Sequence, residues 1–306
     1  MNTDALNQER ATVLYETIEM SPENIRSRQS TSQPVSLLTL VFNVLSFVII
    51  RRSFLCSDLN LYHPPPTHEV FPNRLLFFCA FIIPLIVLVL SEGVRWYYLL
   101  RKKAAKVVYK IQIRSKTYNI PELSGNLYII VGVFLFAISI NLFLTYFGKV
   151  TVGRLRPHFI PSCFQKFSYK EFCQDPNEWI SNYTCLGESS HAVKERDDVY
   201  DIRQSFPSGH ASLSFYGLMF LALYIHKVWN YRNIGLFPYV MEMLCFALAS
   251  YIGITRITDN RHHPTDVLGG AILGTVVATI AFRCMVNSFK RSVSLDLGSE
   301  HQETKI

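Results

Sequence analysis

Apolar residues fall into six blocks along the chain, at about 34–50, 75–94, 125–148, 209–227, 236–255 and 264–286, with polar segments between them. A helix needs about 20 mostly apolar residues to cross the hydrocarbon core of a bilayer. Each block approaches that length when its flanking aromatic residues are included. The first block is short and ends at Arg51-Arg52, whose long side chains can reach back to the headgroups. The 33 residues before it are polar, contain acidic groups and lack a secretory signal pattern. The pattern predicts an all-α protein with a bundle of six transmembrane helices. The integral-membrane domain occupies 34–286, between an N-terminal tail (1–33) and a C-terminal tail (287–306), with one long loop at 149–208.

Composition supports this picture. Of the 306 residues, 49% are hydrophobic and 17% charged, against about 25% charged in an ordinary soluble domain. The formal charge of +7 raises the question of nucleic acid, but the basic residues form no groove pattern with interleaved aromatics, so no nucleic-acid partner is expected. Seven Lys and Arg lie between Arg101 and Lys116, in one short connection. The positive-inside rule puts such a connection, and with it both tails, on the cytoplasmic side. Segments 51–74, 149–208 and 256–263 then face outward or into a lumen. The eight basic residues between Lys149 and Arg203 count against that orientation, but their loop is near the length at which loop charge stops governing it.

Two other features agree with an outward face. Cys56, Cys163, Cys173 and Cys185 all lie on it, where disulfides form and persist, although spacing leaves their pairing open. Cys79, Cys245 and Cys284 sit in apolar blocks and read as packing residues. The sequon Asn182-Tyr183-Thr184 marks Asn182 as a glycosylation acceptor in the same outer loop.

Three short polar clusters stand at the ends of the apolar blocks. The first runs from Lys149 through Gly153 and Arg154 to Arg156-Pro157. The second is Pro207-Ser208-Gly209-His210. The third contains Arg256, His262 and Asp266. Lys149 and Arg156 follow the third block, Ser208 to His210 open the fourth, Arg256 closes the fifth, and Pro264 suits the first turn of the sixth. All three clusters therefore fall on one membrane face.

A phosphate monoester carries nearly two negative charges and is recognised by guanidinium forks and a lysine point charge. Lys149, Arg156 and Arg256 supply these cations, while Ser208 Oγ and the Gly209 N–H add neutral donors at a helix N-terminus, which itself favours an anion. His262 is the candidate nucleophile, with Asp266 in the following first turn holding its other ring nitrogen. His210 is the candidate acid and base, first protonating the leaving alkoxide and then activating water. His262, His263 and Asp266 also have spacing suited to zinc, but three cations already supply the charge a metal would bring, and no metal or cofactor is expected. Taken singly, each cluster has a plainer reading as a snorkelling anchor or a capping turn. Their coincidence at three matching helix ends favours the chemistry. His263 has no assigned role, and Glu92 with Arg95 reads as an ion pair at the inner end of the second block.

These residues resemble the type 2 phosphatidic acid phosphatase superfamily, and within it the animal lipid phosphate phosphatases. The family pattern is Lys, six residues, Arg-Pro; then Pro-Ser-Gly-His; then Ser-Arg, five residues, His, three residues, Asp. Lys149 and Arg156-Pro157 match the first part, Pro207 to His210 the second, and Arg256, His262 and Asp266 the third, with Thr255 where the pattern has Ser. The similarity extends from the first block to about residue 285 and includes Gly-Arg-Leu-Arg-Pro-His-Phe at 153–159.

The resemblance implies a haloperoxidase-like helical core and metal-independent phosphatase activity at an extracellular or luminal site. Its substrates would be phospholipid and sphingolipid phosphates: phosphatidate, lysophosphatidate, sphingosine 1-phosphate and ceramide 1-phosphate. It further implies His262 as nucleophile through a phosphohistidine, His210 as acid and base, Asp266 as orienter, and Lys149, Arg156, Ser208, Gly209 and Arg256 as phosphate binders. The plasma membrane is the expected location, and a homo-oligomer is left open. Two other readings remain at this stage: a polyprenyl-diphosphate or sugar-phosphate phosphatase, and a non-catalytic lipid-phosphate-binding scaffold.

Overall fold

The computed structural model describes residues 52–101 except 67, then 108–113, 116–164, 173, 175–185, 199–229 and 235–286. Five helices within this range have the length and apolarity to cross a membrane: Asn73–Tyr98, Glu122–Val152, Gly209–Val228, Phe237–Thr258 and Pro264–Val286. The expected span at 34–50 and both tails lie outside the described residues.

The first of these spans is not a uniform helix. A short α1 (Asn73–Phe77) passes through a π-helical turn (Phe78–Ile82) into α2 (Ile83–Arg101). The cause is Pro84, which has no N–H to return to the Ala80 carbonyl and so breaks the α-helical ladder there. The Ile83 N–H reaches back to Phe78 O instead. The Ala80 carbonyl meets a glycine: a Cβ on Gly217 would lie 1.8 Å from that oxygen. The proline and the glycine together let this helix approach its neighbour backbone to backbone.

A hairpin follows, with β2 (Val108–Ile113) antiparallel to β3 (Lys116–Pro121) and Val108 opposite Pro121. The charge pattern alone had suggested only a basic loop here. Helix α3 (Glu122–Val152) then runs 31 residues, about 46 Å at 1.5 Å per residue. It is longer than the bilayer core is thick, and Lys149 lies in its last turn. Gly153 ends it in the left-handed region, φ 56°, with its N–H bonded to Lys149 O.

Helices α4 (Gly209–Val228), α5 (Phe237–Thr258) and α6 (Pro264–Ile280, continued by a π-helical turn Ala281–Val286) complete the bundle. A second close approach is between α4 and α6. A Cβ on Gly270 would lie 2.5 Å from Ser208 O, and one on Gly274 would lie 2.2 Å from Ser212 O. Glycines four residues apart thus form a flat stripe that seats the start of α4 against the start of α6, as small residues do where helices meet in membranes. This packing brings the second and third polar clusters side by side.

The bundle core is aromatic and aliphatic, with Phe134, Tyr216, Phe220 and Tyr224 fully buried. At the opposite end from the polar clusters, Glu92 accepts from Tyr224 OH at 3.0 Å, and Arg95 lies 3.6 Å from both Glu92 and Glu122. The expected Glu92–Arg95 pair is therefore part of a wider polar cluster that includes Tyr224 and Glu122.

A second, smaller core lies over the polar end. Phe54, Phe159, Phe164 and Tyr183 stack edge to face around buried Leu155, Ile180 and Ile202. Two disulfides, Cys56–Cys173 and Cys163–Cys185, tie this cap together, and β1 (Phe54–Leu55) pairs with β4 (Trp179–Ile180). All four cysteines assigned to the outer face are thus paired. Cys79 and Cys245 are buried, as expected of packing residues, whereas Cys284 is exposed on the outside of the bundle. Within the sequon, Tyr183 is buried in the cap and Asn182 is exposed.

Candidate active site

The polar ends of α3, α4, α5 and α6 meet beneath the cap. Lys149, in the last turn of α3, stands beside Gly209, whose added Cβ would lie 3.9 Å from the lysine Cε. No ion pair of Lys149 occurs among the described residues. Arg156 is 5% exposed and is held by Asp201, with Nη2 2.5 Å from Oδ1 and Nε 2.8 Å from the Asp201 carbonyl. Arg256 is 1% exposed and bonds Asp259 at 2.7 Å, with Glu69 3.8 Å away. Arg261, unremarked in the sequence, joins Glu69 at 2.7 Å and Asp201 at 3.6 Å. Arg156 and Arg256 are therefore preset by carboxylates, while Lys149 has no such direct carboxylate contact among the described residues.

Ser208 caps α4, its Oγ accepting weakly from the Ala211 N–H at 3.5 Å, and its own N–H donates to the Asp266 carbonyl at 3.0 Å. His210 Nε2 lies 3.2 Å from the Phe71 carbonyl and 3.4 Å from Arg256 Nη1. A carbonyl only accepts, so an Nε2–H donates to Phe71, and the longer Arg256 contact is electrostatic.

His262 is buried, and its Nδ1 lies 2.7 Å from Ser205 O. Because that partner is a carbonyl, Nδ1 carries the proton and Nε2 the lone pair. Burial holds the His262 pKa well below the usual imidazole value. The positive charges of Arg156 and then Lys149 push it further the same way, against the Ser205 hydrogen bond. The ring is therefore neutral at physiological pH. Arg154 of the first cluster bonds Asp266 of the third at 2.6 Å, so these two clusters meet.

One expectation fails. Asp266 does not hold the His262 imidazole. Its Oδ2 accepts from Ser205 Oγ at 2.6 Å, from the His263 N–H at 3.0 Å and from His263 Nδ1 at 3.0 Å, while Oδ1 accepts from Arg154 at 2.6 Å. The physical reason is the helix start. Asp266 occupies the third position of α6, from which a carboxylate folds back on the N-terminal turn and caps His263 rather than reaching His262. His263, which had no role, is thus the N-terminal residue that this carboxylate secures.

Sequence reasoning also missed Glu69, Phe71, Asp201, Ser205 and His158. His158 Nδ1 lies 2.8 Å from Asn260 O, and Asn260 takes a left-handed conformation, φ 54°, that turns the chain from α5 toward Arg261 and His262. Arg154 and His158 were visible inside the first motif, but nothing in its spacing assigned them contacts. Among the described residues, no group of three or more His, Cys, Asp or Glu side chains is placed to hold a metal ion.

Residues 130–290 match the PAP2 superfamily, a stretch that contains all three polar clusters. Among similar proteins, Phospholipid phosphatase 1 of Rattus norvegicus is 30% identical over 256 residues, covering 84% of this chain and 83% of its own. Phospholipid phosphatase 2 of the same species is 28% identical, covering 89% and 90%. A protein of Drosophila melanogaster described as a putative phosphatidate phosphatase is 29% identical, covering 83% and 68%. No solved structure matches the chain significantly. With its apolar helices and a polar cluster at one end of the bundle, this chain belongs to the PAP2 superfamily and is a multi-pass membrane phosphatase of the type 2 phosphatidic acid phosphatase family.

Proposed function

We propose that the protein hydrolyses lipid phosphomonoesters (phosphatidate, lysophosphatidate, sphingosine 1-phosphate and ceramide 1-phosphate) through a phosphohistidine and without a metal. The observation that carries this reading is His262, whose Nδ1–H is committed to Ser205 O so that Nε2 keeps its lone pair, in a ring that feels the positive charges of Arg156 and Lys149. Nε2 attacks phosphorus, and the bond from phosphorus to the lipid oxygen breaks. His210, protonated at both ring nitrogens, gives its Nδ1 proton to that oxygen and becomes neutral. Water then attacks the phosphohistidine, His210 takes the proton, and inorganic phosphate leaves with His262 neutral again.

Lys149, Arg156, Arg256, Ser208 and the Gly209 N–H bind the non-bridging oxygens, where charge develops in the transition state. Asp266 orients the site from behind the nucleophile. A cluster of cations at the polar ends of membrane helices suits a substrate whose acyl chains stay in lipid while its headgroup rises to them.

In this reading the six-helix phosphatase domain spans 34–286, the polar end and its cap face the extracellular or luminal side, and tails 1–33 and 287–306 are cytoplasmic. The paired cysteines of the cap and the exposed Asn182 support that orientation, since both suit an oxidising, glycosylating compartment. The plasma membrane is the proposed location.

Purified protein in mixed micelles should release phosphate from lysophosphatidate with EDTA present, and His262→Ala should reduce release to background. Full activity of His262→Ala would remove the nucleophile from its role, and dependence on added divalent metal would overturn the metal-free chemistry. A comparison with glucose 6-phosphate tests the lipid assignment, which fails if the soluble ester is hydrolysed equally well.

A further inference from the structure

Asp266 and His262 do not touch, yet one residue contacts both. Ser205 is fully buried and held at three points. Its N–H donates to Arg154 O at 2.9 Å, its Oγ–H donates to Asp266 Oδ2 at 2.6 Å, and its carbonyl accepts from His262 Nδ1 at 2.7 Å. Arg154 closes the figure: its Nη1 bonds Asp266 Oδ1 at 2.6 Å and Thr265 Oγ1 at 2.6 Å. Asp266 is fully buried and accepts at both oxygens, so it is a rigid anchor at the start of α6. Its backbone carbonyl also receives the Ser208 N–H, tying the phosphate-binding turn to the same point. Three chain segments, from the first, second and third motifs, therefore meet at Ser205 and Asp266.

From this geometry we propose that Ser205 is a positioning residue for phosphoryl transfer, its hydroxyl locked on Asp266 so that its carbonyl fixes the tautomer and aim of His262. Asp266 then acts on the nucleophile only through Ser205, with Arg154 clamping the carboxylate from the other side. The inference rests on His262 being the nucleophile. Without its hydroxyl, residue 205 keeps the carbonyl but loses the anchor that sets the carbonyl's direction. The imidazole can then rotate, and Nε2 leaves the line of attack. In-line displacement is sensitive to such misplacement, because the reacting atoms must sit close and aligned. Phosphate binding by the cations does not depend on this link.

The test measures kcat, KM and competitive inhibition by inorganic phosphate for Ser205→Ala, Asp266→Asn and the double variant, with His262→Ala beside them, all in detergent with thermal midpoints recorded. Ser205→Ala should lose at least tenfold in kcat, with KM and inhibition by inorganic phosphate within about threefold of wild type. The double variant should be no slower than Asp266→Asn alone, because both changes break one chain of contacts. Ser205→Thr, which keeps the hydroxyl, should recover most of the lost rate.

A wild-type kcat for Ser205→Ala overturns the proposal. So do losses that multiply in the double variant, or an affinity for inorganic phosphate that falls in step with kcat. If Ser205→Ala does not fold, Ser205→Cys replaces it with a side chain of nearly equal size and a weak donor; it should be slow, and a wild-type rate refutes the idea. Activity in His262→Ala would instead strike at the nucleophile assignment, so the two failures are distinguishable.

Discussion

His158 gives the most quantitative test of how the site is held. Its buried Nδ1–H donates to Asn260 O at 2.8 Å and secures the left-handed turn before Arg261 and His262. Burial lowers its pKa from 6.5 to about 4, with the Asn260 hydrogen bond opposing and the Arg156 charge assisting. In the unfolded chain the ring takes a proton near its ordinary pKa, so below about pH 6.5 the unfolded state binds more protons than the folded one. Stability from this residue is therefore complete above about pH 6.5 and is lost as pH falls toward 4. A shift of about 2.5 pH units at about 1.36 kcal/mol each amounts to roughly 3 kcal/mol.

His158→Asn keeps a donor at the Nδ1 position and removes the titration. Thermal midpoints of wild type and variant in one detergent, followed from pH 7.5 to 4.5, should converge as the pH falls, because only wild type carries this acid penalty. Wild type loses the larger amount over that range, with His262 adding a penalty of the same sign in both proteins. Parallel curves for the two proteins would refute the assignment of a buried neutral imidazole at 158.

Other outcomes follow from single contacts. Gly274→Ala places a methyl 2.2 Å from Ser212 O; it should cost about 1–3 kcal/mol and reduce kcat by separating α4 from α6, and an unchanged thermal midpoint would contradict that packing. Arg156→Lys loses the two-point grip on Asp201; kcat/KM should fall roughly 10- to 150-fold, the equivalent of one charge-assisted bond at about 1.5–3 kcal/mol, and a normal value would remove Arg156 from the site. Cys56→Ser breaks a link between residues 117 apart; it should destabilise the cap by about 2–4 kcal/mol, read as faster proteolysis of the 149–208 loop, with wild-type resistance as the contrary result.

Much of the site was legible before any coordinates. Lys149, Arg156, His210, Arg256 and His262 carry charge or imidazole at the ends of apolar blocks, where bilayer thickness fixes depth within a turn or so. Residues on one face of the membrane can be assigned to one layer by counting alone. The exchange of partners around Asp266 was not legible, because three-residue spacing onto His263 and four-residue spacing onto His262 both bring a carboxylate near a ring. Capping geometry chose the first. Glu69, in an irregular segment, and Asp201, in a short helical turn, each lie far along the chain from their arginine partners, and no periodicity links them.

The sequence by itself determined the membrane architecture and the chemical inventory, because both follow from local properties: runs of apolar residues, charges at their ends, and glycine or proline at helix borders. Only the tertiary structure decided which groups act on which. Hydrogen-bond partners such as Ser205 with Asp266, 61 positions apart, or His210 with Phe71, 139 apart, arise from close packing of α4 on α6 and of the cap on the bundle. Direction and distance at that scale are set by side-chain volumes summed over the whole interface, and no short window of residues contains them.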